Sequence, residues 1–405
     1  MSGGGSALPR ATVIILNWNG LRHLETSVPA ALGQDYAAGR FDVLVADNAS
    51  ADGSLEWLEE RHPAVSVVRF PENLGYARAM NAAVKSARGD VVAFLNNDAR
   101  PEPSWLARLV EPIATGAADA TASKMFSFDG TRVHFAGGGS NFHGIAFQRG
   151  MDEADGPEFS RGARSLFPCG AAMALRKSLF VEVGGFDEAF FAYYEDVDLG
   201  WRLNVLGHRV AFVPDSVVRH HHSATSGRVP IHRLRVFHVR NPLRMIYKNL
   251  GDEALARIFP AALLLTARRT AALAGIDRAD FEVNAPIPGQ GGERPGGAAR
   301  GIWSRWRGAK TASPSALPPK RGPFEQMPYP KVAASDVLAV NDLLDDWDGL
   351  AAARAFVQSR RRVGDEDVLP LFLDPFRPAE PDPAYRALQD RLVDAFRIRA
   401  LFPAR

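Results

Sequence analysis

Apolar residues in the first hundred positions fall in short continuous runs, and each run is followed by a segment of helical period. Residues 12–17 (TVIILN) read as a strand buried on both faces, as in a parallel sheet covered by helices. Asn17-Trp18-Asn19-Gly20 breaks the run, and residues 21–32 have a helical pattern. A second buried strand, residues 41–46, ends in DNASADGS (47–54), which crowds polar side chains at the carboxyl end of a strand, where open α/β sheets place their ligands. A helix over 54–61 and a strand over 65–70 follow. Asn73-Leu74-Gly75-Tyr76 then opens a helix over 77–87, and a strand over 91–95 runs into Asn96-Asn97-Asp98. This alternation predicts an α/β fold with a mostly parallel, doubly wound sheet. No GxGxxG follows the first strand, so the dinucleotide-binding fingerprint is absent.

The pattern is less regular over residues 118–170. The glycine-rich stretch 134–144 (HFAGGGSNFHG) lacks a P-loop lysine and reads as a loop or hairpin, with His134 and His143 as loop histidines rather than metal ligands. Residues 169–175 suit a strand and 177–183 a short helix. The most informative stretch is 184–227. There the aromatic run Phe190-Phe191-Ala192-Tyr193-Tyr194 leads into Glu195-Asp196 at the start of a helix. Leu199, Leu203 and Leu206 form its apolar stripe, Asp198 and Arg202 an i, i+4 pair, and Gly207 its stop. A carboxylate at a helix N-terminus is favoured in its ionised form, which makes Asp196 a candidate general base; a plain helix cap is the competing reading. A strand-like run over 209–214 leads to His220-His221-His222.

Composition narrows the class. The chain has 405 residues, enough for a large α/β domain with an appendage, and a formal net charge of +2, which does not suggest a nucleic-acid binder. Cys169 is the single cysteine, which fits a reducing cytoplasm. The first ten residues lack the apolar core of a signal peptide, and no run approaches the ~20 apolar residues of a membrane span. Residues 231–249 carry Arg233, Arg235, Arg240, Arg244 and Lys248 among apolar residues, and a further apolar run extends to 267. Two readings stay open: a basic amphipathic helix on the cytoplasmic face of an anionic membrane, or a helix packed on the catalytic domain. Residues 286–320, rich in Gly, Pro and Arg, read as a linker, and 335–363 and 383–402 as helices around the basic run Arg360-Arg361-Arg362. The expected plan is an N-terminal tail (1–10), a catalytic domain (11–230), basic helices (231–275), a linker (276–332) and a helical C-terminal region (333–405).

In one order the chain carries Asn17–Gly20 (NWNG), the segment 47–54, NLGYARAMN (73–81), LNND (95–98), GGFD (184–187), YEDVDLGWR (194–202) and the histidine block. The ordered set resembles family 2 glycosyltransferases of the GT-A fold, in particular their rhamnosyltransferase-like branch, over roughly residues 11–250. The resemblance implies a sugar transfer from a dTDP- or UDP-linked donor to a glycan or lipid-linked acceptor in cell-surface polysaccharide synthesis. It puts Asn17, Asn19, Asp47, Asn48, Asp52, Asn73, Gly75, Arg78, Asn81, Asn96 and Asn97 along the nucleotide-sugar site. Asp47 would accept from the pyrimidine N–H. Asp52 would touch the ligand or cap the next helix, and Arg78 would meet the pyrophosphate or remain solvated. Asn96 and Asp98 occupy the family's metal segment, with Asn in place of its first acid. Asp98, Asn96 and His220, with His221 and His222 as fallbacks, would then hold Mn²⁺ or Mg²⁺. Asp196 would be the base of an inverting displacement, and Glu195 would orient the acceptor or the base. A nucleotidyltransferase, the nearest alternative, would need a glycine-rich phosphate loop that residues 17–20 do not supply. A non-catalytic sugar-binding protein would be expected to lose Asp98, Asp196 or His220.

Overall fold

A computed structural model of the chain describes residues 8–221, 229–275 and 330–402. The first seven residues, His222 and nearly all of the expected linker lie outside the described residues. The chain begins β1 (Ala11–Asn17), α1 (Leu21–Leu32), β2 (Phe41–Asp47), α2 (Ser54–Arg61), β3 (Ser66–Arg69), α3 (Gly75–Ser86) and β4 (Val91–Asn96). It continues with β5 (Ala99–Pro101), α4 (Trp105–Ala114), β6 (Ala120–Ser127), β7 (Val133–Phe135), β8 (Gly138–Ser140), β9 (Ala146–Gln148) and β10 (Ala163–Arg164). Then come β11 (Ala172–Arg176), α5 (Lys177–Glu182), α6 (Glu195–Val205) and β12 (Val210–His220). The C-terminal helices are α7 (Ile231–Asn249), α8 (Asp252–Leu273), α9 (Lys331–Asp345), α10 (Trp347–Gln358), α11 (Asp365–Val368) and α12 (Pro383–Ala395).

The main sheet runs β10-β12-β6-β11-β4-β1-β2-β3, with β5 joined to β12 and β7 to β6. β3, β2, β1 and β4 are parallel, as their apolar runs predict, and Val13, Ile14 and Ile15 are fully buried between helices. β11 enters antiparallel between β4 and β6, while β6 and β12 pair in parallel, so the sheet is mixed and mostly parallel. The β1–β2 register sets Asn17 opposite Asp47, and β1–β4 pairing sets Leu16 opposite Asn96. The polar ends of three strands therefore lie side by side.

β6 is the strand that periodicity does not reveal. Thr121, Ser123 and Lys124 interrupt its apolar pattern, yet all are buried. Each has a partner: Thr121 Oγ1 donates to the Leu109 carbonyl (2.8 Å), Ser123 Oγ accepts from Trp105 Nε1 (2.8 Å), and Lys124 Nζ meets Asp155 (2.6 Å). β12 runs on past residue 214 to His220, with a register shift between Val213 and Val217 around Pro214. The expected helix over 335–363 is two helices, broken at Asp346.

Most basic residues of α7 turn inward, as in the packed-helix reading of the two left open for that helix. Arg235 makes a two-pronged pair with Asp336 (2.6 and 3.0 Å), Arg244 meets Asp346 (2.7 Å), and Lys248 meets Asp187 (2.6 Å) and Asp198 (2.8 Å). Arg240 donates to the carbonyl of Ala189 (2.8 Å), which leaves Arg233 as the exposed cation of the set. Charges already matched inside the fold offer little to an anionic surface. Among the described residues, no helix is long and apolar enough to cross a membrane.

The Asp198–Arg202 pair, visible in sequence as an i, i+4 spacing, is buried. Arg202 Nε donates to Asp198 (2.8 Å), and its terminal nitrogens donate to the carbonyls of Val183 (2.5 Å) and Gly185 (2.6 Å). Lys248 and Asn249 of α7 complete the shell of Asp198. α6 comes this close to its neighbours because Gly200 has no side chain; a Cβ there would lie 2.3 Å from Phe167 Cα. Removing one member of a buried ion network strands the others, at a cost of about 3–5 kcal/mol. Asp198→Asn should lower unfolding stability in urea by that amount, and a loss below ~1 kcal/mol would show that these charges are effectively solvated.

Candidate active site

The donor side is assembled from the carboxyl ends of β1, β2 and β4. Asn17 Nδ2 donates to Asp47 Oδ1 (3.3 Å) and to Ser50 Oγ (3.1 Å), while its Oδ1 accepts from Asn97 Nδ2 (3.0 Å). The Ser50 N–H donates to Asp47 Oδ2 (3.0 Å), so Asp47 is held with both oxygens oriented. Asn19, with φ 51°, accepts from the Ala51 N–H (2.8 Å) and closes the loop after β1 on that after β2. Asn48 reaches across to the α3 entry. It donates to Asn73 Oδ1 (2.9 Å) and accepts from the Leu74 N–H (2.9 Å).

Asp52 starts two helices. Its Oδ2 accepts from the Leu21 N–H (2.9 Å) and its Oδ1 from the N–H and hydroxyl of Ser54. Burial raises its pKa, but the hydrogen bonds from Leu21 and Ser54 outweigh it and hold the carboxyl below its ordinary value. It still borders an open cavity of about 340 Å³ with Asn19, Leu21, Arg22 and Glu25. Arg78 is exposed on α3. Asn81 has its amide engaged with both backbone groups of Phe186 (2.8 and 2.9 Å) and with Glu188, so it ties α3 to the 184–187 loop rather than presenting a free amide.

Asp98 and His220 meet because β12 pairs antiparallel with β5, which puts His220 opposite Ala99. Asp98 Oδ1 lies 3.0 Å from His220 Nε2, and both are buried. Burial raises the Asp98 carboxyl, but the hydrogen bond and charge of His220, with His23 behind it, win and bring it below its usual value. His221 is turned away to stack on Phe128 (centroids 3.6 Å, 13°) and lies 5.5 Å from His23. His23, alone on α1, has no sequence signal that links it to this cluster. An oxygen and a nitrogen donor facing each other suit a divalent cation. The described residues contain no group of three or more His, Cys, Asp or Glu that could hold an ion, so a bound cation would need oxygens from its ligand as well.

The two carboxyls at the start of α6 have opposite surroundings. Asp196 Oδ2 accepts from the Gly170 N–H (2.7 Å) and Oδ1 from the Val197 N–H (2.8 Å). Glu195 is 7% exposed and its Oε2 has no hydrogen-bond partner. Burial, reinforced by the Asp196 charge, pushes Glu195 well above the usual carboxylate range. Burial raises Asp196 too, but its two backbone donors counter this. Both carboxyls are thus raised by burial, and Asp196 has the backbone donors of Gly170 and Val197 to favour its ionised form. Cys169 links the two sides. Burial pushes its thiol up, and the charges of Asp196, Glu195 and Asp98 all add to that. Behind the pair, Trp201 is fully buried against Phe372 (5.0 Å), and burial pushes the Tyr194 hydroxyl up to about 12.

The family description "Glycosyl transferase family 2" matches residues 12–184. The N-acetylglucosaminyl-diphospho-decaprenol L-rhamnosyltransferase of Mycobacterium tuberculosis is 30% identical over 223 residues, which is 48% of this chain and 71% of that protein. The chain belongs to glycosyl transferase family 2. The O-antigen biosynthesis protein RfbC of Myxococcus xanthus is 31% identical to this glycosyltransferase over 230 residues, 54% of this chain but 18% of that one. A protein of Sinorhizobium fredii, 27% identical over 230 residues, is likewise covered over 25% of its length, so the chain spans a minor part of some relatives. The crystal structure of GalNAc-T7 with UDP, GalNAc and Mn²⁺ superposes with a TM-score of 0.51 at 19% identity, covering 68% of this chain and 53% of that one. At that identity it speaks for the fold, which is GT-A with a helical C-terminal region. Asp196, His220 and α7 all lie beyond the stretch matched by the family description.

The elevated carboxyls fix a sign for pH. A base works only when deprotonated, so the rate should fall as pH drops through a pKa raised above 3.8, and the acid limb of kcat/KM should lie above the ordinary aspartate range. The same burial favours the folded state in acid, and that contribution is lost as pH rises through the raised values. An acid limb at or below the ordinary value would contradict this environment.

Proposed function

We propose that this glycosyltransferase moves a hexose, rhamnose or a similar sugar, from a dTDP- or UDP-linked donor to a hydroxyl of a glycan or lipid-linked acceptor, with inversion, in cell-surface polysaccharide synthesis. The observation that carries the reading is the asymmetric carboxyl pair: Asp196 held by the Gly170 and Val197 N–H groups beside a buried, partnerless Glu195 oxygen. Asp196 takes the proton of the acceptor hydroxyl as its oxygen attacks the anomeric carbon, and the nucleoside diphosphate leaves from the opposite face. Glu195, buried beside Asp196, orients the acceptor or the base. Asp47 reads the base of the nucleotide, braced by Asn17 and Ser50. The loops carrying Asn19, Asn48, Asn73, Gly75 and Asn97 shape the donor cleft.

Asp98 and His220 would hold Mn²⁺ or Mg²⁺, with Asn96, the last residue of β4, as a further oxygen donor. When bound, the ion supplies positive charge to the departing diphosphate. The rhamnosyltransferase relative, whose name specifies a diphospho-decaprenol acceptor, supports the lipid-linked class.

Two substitutions separate the roles. Asp196→Asn should leave nucleotide affinity intact and lower transfer by ~10²–10⁴. Asp98→Ala should weaken metal-dependent nucleotide binding together with transfer, as should excess chelator on the unaltered protein. Calorimetry with UDP and dTDP, beside transfer rates, checks both. Wild-type transfer by Asp196→Asn would return Asp196 to a helix cap, and full activity in chelator would remove the cation.

A further inference from the structure

The backbone that delivers Glu195 and Asp196 to the site is held in conformations that L residues avoid. Phe191 has φ 62°, Tyr193 68° and Tyr194 69°, and none is a glycine. Such a turn persists only where its surroundings over-determine it, and strain of this kind gathers at active sites. Two elements grip it. From the donor side, the Phe191 carbonyl accepts from the N–H groups of Tyr76 (2.7 Å) and Ala77 (3.3 Å) at the start of α3. Gly75 permits the approach, because a Cβ there would lie 2.6 Å from that carbonyl oxygen. Tyr76 also reaches the base: its hydroxyl donates to the Gly170 carbonyl (3.0 Å), and the Gly170 N–H donates to Asp196.

From the other side comes Asn241 of α7, fully buried. Its Nδ2 faces three carbonyls of the turn, those of Phe190 (3.2 Å), Ala192 (3.0 Å) and Tyr193 (2.8 Å). Its Oδ1 accepts from Arg240 Nε (3.1 Å), and Arg240 itself donates to the carbonyls of Ala189 and Phe190. Three carbonyls turned toward one point repel one another, and an amide N–H₂ offers two protons to share among them. No acceptor-only side chain can replace it. A lost donor would free the turn to relax toward ordinary φ values, carrying the helix start with it.

We infer that Asn241 is a positioning residue for the catalytic carboxyls, and that α7 is therefore part of the active site although it lies outside the stretch matched by the family description. The inference rests on the reading of Asp196 as the base. A displacement of about 1 Å at a reacting group is enough to cost ~10²-fold in rate, so the effect belongs in turnover rather than in donor binding.

The test uses the full chain with Asn241→Ala, Asn241→Asp, Asp196→Asn and the Asn241→Ala/Asp196→Asn pair. The readouts are UDP and dTDP affinity with Mn²⁺, thermal midpoint, and kcat for nucleoside diphosphate release from dTDP-rhamnose or UDP-glucose, whichever the unaltered protein turns over. Asn241→Ala should lose at least ~10-fold in kcat with nucleotide affinity within about twofold. Asn241→Asp, which keeps the shape and removes the donor, should lose as much or more. Because Asn241 acts through Asp196, the double variant should be no slower than Asp196→Asn alone. A lower thermal midpoint with kcat per folded molecule unchanged would overturn the proposal, as would a double variant slower by the product of both losses. Should Asn241→Ala not fold, Asn241→Ser, which retains one donor, carries the same comparison. Wild-type kcat in Asp196→Asn overturns the base reading and this inference with it, whereas wild-type kcat in Asn241→Ala beside an inactive Asp196→Asn overturns only the role of Asn241.

Discussion

The carboxylate of Asp198 is the charge on which the two halves of the molecule converge. It is fully buried and accepts from Arg202, Lys248 and Asn249. Through Arg202 it fixes the carbonyls of Val183 and Gly185, and through Lys248 it reaches Asp187. The loop that begins at Gly184 and ends at Glu195 and Asp196 is thus anchored at its root by an ion network as well as by the buried rings of Phe186 and Phe190. Such a network is stiff when every member is satisfied and costly when one is missing. It also makes α7 indispensable, because two of the donors to Asp198 come from that helix. The appended helices are a structural wall of the site.

Given that wall, two neighbouring carboxyls sit in different surroundings. Glu195 has burial and a neighbouring negative charge; Asp196 has burial and two backbone N–H groups. Pairs of titratable groups pushed apart in this way mark acid–base roles. The positively polarised end of α6 adds to the preference for charge at Asp196. The donor side is built differently, from amide and carboxylate side chains at strand ends that hold one another, Asn17 to Asp47 and Asn97, Asn48 to Asn73. Asp47 keeps lone pairs beyond its bonds from Asn17 and the Ser50 N–H and can accept from a ligand as well.

How much of this was legible in the sequence depended on range. β1 to β4 and their helices follow from local periodicity, and their boundaries agree within a residue or two. β6 was hidden because Thr121, Ser123 and Lys124 break its apolar pattern, and their partners Leu109, Trp105 and Asp155 are set only by the fold. The spacing of Asp198 and Arg202 was visible, but not their burial, which depends on Lys248 fifty positions away. Asp98 and His220 were joined in sequence only through a resemblance; in the structure the β5–β12 pairing joins them. His23 and Asn241 carried no signal at all, each being one polar residue on a helix whose partner lies elsewhere in the chain. The basic stripe of α7 left two readings open for the same reason, since Asp336 and Asp346, which pair with it, arrive about a hundred residues later.

The central claim is that one carboxylate serves as base in a single displacement, with no covalent enzyme intermediate. The anomeric configuration of the product tests it most directly. Proton NMR of the first turnovers, with any donor that the protein accepts, should show the new glycosidic bond formed with configuration opposite to that of the donor. A product that retains the donor configuration would exclude a single displacement from the face opposite the leaving group, and would contradict the account.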